Sequence, residues 1–169
     1  MIAIMSEPLV DKLWKLTQRD QHLAAGKTLF RAGDPVTSLF LVTTGALRLI
    51  RALPHGFQLT LQRAGPGAIL AEASLFADRY HCDASAAEHS VLRVVSLRRI
   101  RAALKDDLGL ASALTRHLAH EVHRARAQAE ILSLKTVAER VDAWSAFNDC
   151  SLPPRGHWRH GCLGDRCHT

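Results

Sequence analysis

A single acidic residue stands in an apolar stretch between residues 65 and 86. Glu72 follows the run Ala68-Ile69-Leu70-Ala71 and precedes Ala73-Ser74-Leu75-Phe76. Burying a carboxylate in apolar surroundings is costly unless the group is paired or hydrogen-bonded. Glu72 either begins a short helix, where acidic residues are favoured, or lies in a ligand pocket, where it accepts from a hydroxyl while the helix amides face an anion. Both interpretations stay open at this point.

The cysteines and histidines match no familiar metal or catalytic pattern. An iron–sulfur cluster needs about four thiolates, and no cysteine precedes Cys82. The other cysteines lie near the C-terminus, and with the nearby histidines they match no zinc-binding spacing: Cys150, Cys162, Cys167, His157, His160 and His168. We expect all four cysteines to be thiols and predict no metal site.

An enzyme is not indicated. A cupin-like metal site needs a cluster of histidines and carboxylates on adjacent strands, whereas the predicted strands between residues 28 and 70 contain only His55, beside a turn glycine. The chain also lacks a Gly-x-Ser-x-Gly elbow and a phosphate loop. We therefore predict a binding or regulatory protein.

The bulk properties are those of a globular protein of modest size. The 169 residues are 47% hydrophobic and 22% charged, which suits one domain with an appendage. The formal net charge of +6 gives weak support for a nucleic-acid partner. Because the N-terminus does not resemble a secretory signal and no run of 18 apolar residues occurs, we expect a cytoplasmic protein without membrane contact.

The first half of the chain reads as a helix followed by short strands. Leucines at helical spacing predict a helix over residues 7–19. From residue 23 to residue 96, apolar runs of four to six residues alternate with glycine-containing turns, and the clearest strands are 39–42, 46–50 and 91–95. This spacing predicts a small antiparallel barrel or sandwich.

The second half reads as helices. Ser96 is a plausible N-cap, a break falls at 106–109, and a long helix then runs to about Ser133, followed by another over residues 133–147. The long helix carries a heptad seam formed by Leu108, Ala111, Thr115, Leu118, Val122, Ala125, Ala129 and Leu132. Such a seam predicts a homodimer; the alternative is that it packs on its own chain. Off the seam, we expect intrachain contacts from Leu110, Leu114 and Ile131.

By their residues, several segments resemble the Crp/Fnr family of bacterial transcription regulators. The similarity lies in 23–34, in 39–49, and in Gly67 with Ala71-Glu72 and Leu75-Phe76, and it extends over about residues 20–147. It implies an α+β fold: an antiparallel β-roll (a double-stranded β-helix, jelly-roll-like), a long dimerisation helix and a short helical C-terminal stub. The implied domains are a sensor over 1–105, the dimerisation helix over 106–133, and the start of a winged helix-turn-helix with an irregular tail over 134–169.

The resemblance also implies an effector site. In family members that bind cAMP, an acidic residue precedes a short helix, and an Arg followed by Ser or Thr holds the phosphate on the far side. Glu72 matches the acid, but Tyr80 or His81 stands about where that Arg would fall. We leave the effector unidentified, with a cyclic nucleotide disfavoured. The candidate effector-binding residues are Glu72, Ala73, Ser74, Arg79, Tyr80, His81 and Ser85.

The function implied is a transcription regulator that senses an effector and binds DNA as a dimer. The residues after Phe147 show no helical periodicity, so the DNA-binding domain is expected to be truncated and autonomous specific DNA binding to be doubtful. Two alternatives remain: a sensor and dimerisation protein that acts through protein–protein contacts without DNA, and a cyclic-nucleotide-binding regulatory domain.

Overall fold

The computed structural model describes residues 7–148. Predictions for the C-terminal tail, including those on its cysteines and histidines, lie outside these residues. The described chain divides into two compact units, with the boundary between Leu118 and Ala119. No helix of the described part is both long and apolar enough to cross a membrane.

The first unit starts with a helix and continues into eight strands. Helix α1 spans Glu7–Lys15. The strands are β1 (Arg19–Leu23), β2 (Thr28–Phe30), β3 (Ser38–Thr44), β4 (Leu47–Ala52), β5 (Gln58–Ala64), β6 (Ile69–Leu70), β7 (Asp83–Ala86) and β8 (Ser90–Ser96). Two 3₁₀ turns interrupt them, at Pro54–Gly56 and at Glu72–Ser74.

The strands form two four-stranded sheets, ordered β1-β8-β3-β6 and β2-β7-β4-β5. Every pairing between these strands is antiparallel. Successive side chains of a strand point to opposite faces, so one face of each sheet contributes to a shared apolar core, as Leu47 and Ala84 do from one sheet and Leu41 and Leu92 from the other. The predicted antiparallel β-roll is confirmed.

Helix α1 is shorter than predicted and ends four residues before Arg19. The Thr17 hydroxyl donates to the Trp14 carbonyl at 2.7 Å, which closes the last turn. The Gln18 amide then donates to the Val94 carbonyl at 3.0 Å, so the chain pairs with β8 at this point. Tertiary pairing overrides the helical pattern of the last residues.

Two consecutive helices follow the strands. Helix α2 spans Leu97–Asp106 and is N-capped by Ser96, whose Oγ accepts from the Arg99 amide at 3.4 Å, as predicted. Helix α3 spans Leu108–Ser133, so the predicted break and end of the long helix are confirmed. Leu110 and Leu114 belong to the β-roll core, which confirms their expected intrachain contacts.

The second unit starts within α3 and includes α4, Val137–Asn148. A reciprocal capping box starts α4: the Thr136 amide donates to Glu139 Oε2 at 2.9 Å, and the Glu139 amide donates to Thr136 Oγ1 at 3.2 Å. These bonds hold the pKa of the Glu139 carboxyl below its ordinary value. The helix predicted from residue 133 therefore begins at 137, because the cap lies at 136.

Candidate functional site

Glu72 lies at the first position of the 3₁₀ turn after β6. The turn starts here because Ala71 leaves the strand in the left-handed conformation, with φ of 70°. A non-glycine residue in this region carries backbone strain of about 1–2 kcal/mol. Glu72 is only 7% exposed, so its carboxylate lies within the protein rather than at the start of a solvated helix.

Cys82 marks the charges around this carboxylate. The thiol is buried, and burial raises its pKa; the Arg51 guanidinium lowers the same pKa, and the Asp83 and Glu72 carboxylates raise it. Coulombic effects fall with distance, so Arg51 and Glu72 both lie near Cys82. The site therefore combines a buried acid, a buried thiol and a cation.

Arg51 was not among the residues predicted for the site. Its Nη2 donates to the His81 carbonyl at 3.1 Å, which holds the guanidinium beside the segment before β7. The signal was present in the sequence, because Leu47, Leu49 and Arg51 alternate along one strand and must share a face. That alternation does not reveal which residue lies opposite Arg51.

Among the predicted site residues, Ser74 and Tyr80 are buried. The Tyr80 ring stacks on Phe30 with centroids 3.9 Å apart, and its hydroxyl donates to the Ser38 carbonyl at 3.0 Å. The side chain of Tyr80 is thus engaged in the core. Ala73 is exposed on the 3₁₀ turn.

The remaining predicted residues lie around the end of β7. Arg79 is exposed, and its Nη1 donates to the Gly33 carbonyl at 2.6 Å. His81 is exposed, and its carbonyl accepts from Arg51. Ser85 pairs with Arg48, on the sheet face opposite to that of Ala84 and Ala86. The structure brings Glu72, Cys82 and Arg51 together with the backbone of His81, and it places Arg79 and Ser85 apart from them.

Arg101 connects the acidic turn to α2. Its Nε and Nη2 donate to the Leu75 carbonyl at 3.1 and 2.8 Å. Beside it, an open depression of about 570 Å³ is lined by the cationic side chains of α2 and by Val36 and Thr37. A shift of the Glu72–Ser74 turn would therefore act directly on α2.

The seam predicted on α3 is largely exposed within the described chain. Leu108, Val122 and Leu132 are 82%, 50% and 62% exposed. Thr115, Ala125 and Ala129 are also exposed, while Ala111 and Leu118 are half-buried. Leu110, Leu114 and His117 form the buried face. The seam and the buried face are therefore different sides of one helix.

Metal binding finds no support in the described part of the chain. Between residues 7 and 148, no group of three or more His, Cys, Asp or Glu side chains is arranged to hold a metal ion.

Comparison with known proteins agrees with this geometry. The family model described as "Cyclic nucleotide-binding domain" matches residues 20–107, which is more than half of the chain. The chain is 26% identical over 132 residues to the transcriptional activator protein Anr of Pseudomonas aeruginosa, covering 78% of this chain and 54% of that protein. It is 27% identical over 137 residues to the transcriptional activator protein FnrA of Stutzerimonas stutzeri, with the same coverage.

A solved structure gives the same result. The crystal structure of the Thermus thermophilus catabolite activator protein is similar with a TM-score of 0.64 and 28% identity, over 76% of this chain and 61% of that one. The chain spans about half the length of the curated relatives that it matches. The resemblance seen in the residues is confirmed: the chain belongs to the cyclic nucleotide-binding domain family, and its relatives are Crp/Fnr-type transcription regulators.

Proposed function

We propose that this chain is the effector-sensing and dimerisation module of a Crp/Fnr-type transcription regulator. The observation that carries the proposal is the β-roll matched by the family model, in which the buried Glu72 lies on a turn tethered to α2 by Arg101. The effector would bind beside this turn, next to Cys82.

The tether supplies a route for the signal. A ligand shifts a conformational equilibrium only if it binds the two states with different affinity. A ligand that displaces the Glu72–Ser74 turn changes the position of the Leu75 carbonyl and so acts on Arg101 and α2. Helix α3 starts two residues after α2 ends, so the same displacement reaches the dimerisation helix.

Dimerisation through α3 rests on the heptad seam. Alanines at 111, 125 and 129 allow two helices to approach closely, and Leu118, Val122 and Leu132 supply apolar area. Large exposed side chains such as Leu108 and Leu132 in a monomer mark a surface that another chain can cover.

Light scattering coupled to size-exclusion chromatography tests the dimer. We expect a dimer at micromolar concentration, and we expect Ala125→Glu to raise the dissociation constant at least tenfold, because it places two carboxylates in an apolar seam. His123→Glu is the matched control, since His123 is exposed and lies off the seam. A monomeric wild type, or equal effects of the two substitutions, would contradict this part of the proposal.

A further inference from the structure

Arg51 lies on the face of β4 that points toward the core. In the pairing of β4 with β7, Leu47 is opposite Ala86 and Leu49 is opposite Ala84. Leu47, Ala84 and Ala86 belong to the core cluster. Because side chains alternate along a strand, Arg51 shares the face of Leu47 and Leu49, and its neighbour across the sheet is Cys82.

At this position Arg51 is a cation at the rim of the core. The residue is exposed, so its charge remains hydrated. One of the five N–H donors of a guanidinium is engaged by the His81 carbonyl. Within residues 7–148, no carboxylate lies within ion-pair distance of Arg51.

The other arginines nearby are placed differently. Arg79 donates to the Gly33 carbonyl at 2.6 Å, away from Cys82. Arg48 is on the opposite face of β4, where it pairs with Ser85 and Arg63. Asp83 is also on that opposite face, across from Ile50, and its Oδ1 accepts from the Ala32 amide at 2.7 Å. The carboxylate that would repel an anion therefore points away from Arg51.

We propose that Arg51 binds an oxyanion group, such as a phosphate or carboxylate, of the small effector that this β-roll senses. The inference rests on the proposed effector site and adds the charge of its ligand. A guanidinium binds an oxyanion through parallel N–H donors, and the oxyanion would lie at the rim between Arg51 and the His81 segment. The rest of the ligand would extend inward toward Glu72 and Cys82.

Four small molecules with matched structures test this inference on the full chain. Adenosine 3′,5′-cyclic monophosphate, adenosine 5′-monophosphate and inorganic phosphate carry an oxyanion, whereas adenosine carries none. We expect at least one of the three anions to raise Tm in a concentration-dependent manner, and calorimetry to show weaker binding as salt increases. Adenosine should bind at least tenfold more weakly than the best anion.

Substitutions on the two faces of β4 identify the cation. Arg51→Gln should weaken binding of the best anion about tenfold or more, and Arg51→Lys should restore part of the affinity, because the charge returns without the planar fork. Arg48→Gln is the matched control on the other face of the strand, and it should change affinity less than about twofold. Both positions are exposed, so Tm in the absence of ligand verifies folding.

The outcomes separate this inference from the proposed function. It is overturned if no anion stabilises the wild type, or if Arg51→Gln binds as the wild type does. Adenosine bound as tightly as the anions, in the wild type and in Arg51→Gln alike, would leave the effector site standing and remove the role of Arg51. The dimer is measured on the same samples by light scattering, so its failure would count against the proposed function alone.

Discussion

Gly45 joins β3 to β4 where the chain passes close to the start of β8. Its φ is 83°, and a Cβ there would overlap the His89 carbonyl oxygen and Ser90 Oγ, and would lie 2.7 Å from Ser90 Cα. Most of these atoms are backbone, which cannot move without disturbing the pairing of β8. The position requires glycine for its conformation and for the space.

A pair of substitutions separates conformation from space. Gly26 has a φ of 76° and no atom within 4 Å of the position that a Cβ would take, so Gly26→Ala should cost about 1 kcal/mol of unfolding free energy. Gly45→Ala adds overlap with backbone and should cost about 3 kcal/mol or more. Urea denaturation measures both, and equal losses would show that the close approach at Gly45 relaxes at no cost.

Cys82 reports on the charges of the effector site. In a background with Cys150, Cys162 and Cys167 replaced by serine, the rate of alkylation follows the thiolate fraction of Cys82. The Arg51 cation lowers the pKa of this thiol and the Glu72 carboxylate raises it. Arg51→Gln should therefore move the alkylation midpoint to higher pH, and Glu72→Gln to lower pH. Midpoints that do not move would place these charges far from the thiol.

At the scale of elements, the junction between α2 and α3 is held by side chains from distant parts of the chain. Asp107 Oδ2 accepts from Lys12 Nζ at 2.7 Å, and Asp107 Oδ1 accepts from the Leu110 amide at 2.9 Å. A Cβ on Gly109 would lie 3.1 Å from Lys12 Nζ, so glycine leaves room for the lysine. Helix α1 thus fixes the start of α3.

The junction predicts a pH-dependent stability. The hydrogen bonds from Lys12 and from the Leu110 amide hold the pKa of the Asp107 carboxyl below its ordinary value. The stabilisation is complete above the unfolded-state pKa of about 3.9 and is lost as pH falls through the lower folded-state pKa. Asp107→Ala should therefore lower Tm at pH 7, and the difference from the wild type should shrink below about pH 4.

Lysines on α1 supply the control for this junction. Lys12→Met removes the charged partner of Asp107 and should lower Tm at pH 7, with the effect reduced at high salt because the pair is partly exposed. Lys15→Met should leave Tm nearly unchanged, since Lys15 is exposed at the end of α1. Equal shifts for the two lysines would mean that the pair does not anchor α3.

At the scale of the whole molecule, helices from both ends of the first unit complete the core of the β-roll. Leu9 and Leu13 of α1, and Leu110 and Leu114 of α3, belong to the same buried cluster as the strands. Ile100 of α2 is also fully buried. The strands, α1, α2 and the start of α3 should therefore unfold as one cooperative unit.

DNA binding is a property of the whole protein and is tested at that scale. The relatives are named transcriptional activators, and the chain spans about half of their length. A mobility-shift assay with the upstream region of its own coding sequence is the direct measurement. If the chain is a complete regulator, we expect a complex that forms at nanomolar concentration and weakens steeply with salt. A chain that forms no complex but forms mixed dimers with a full-length relative would support the non-DNA-binding alternative.

The sequence by itself determined the elements and their order. Apolar runs separated by glycine turns predicted strands β3, β4 and β8, and Ser96 with the break at 106–109 predicted the limits of α2 and the start of α3. These signals are local, because caps, turns and periodicity depend on residues a few positions apart. Glu72 could be singled out for the same reason, as an acid in an apolar run.

Only the tertiary structure decided which residues meet Glu72. The contacts of Arg51 with His81, of Arg101 with Leu75 and of Lys12 with Asp107 join residues from 26 to 95 positions apart. Such contacts depend on strand register, and a shift of one residue would turn Arg51 to the other face of its sheet. The candidate cation of the site is therefore Arg51, across the sheet from Cys82, and the sequence alone contains no local signal for that pairing.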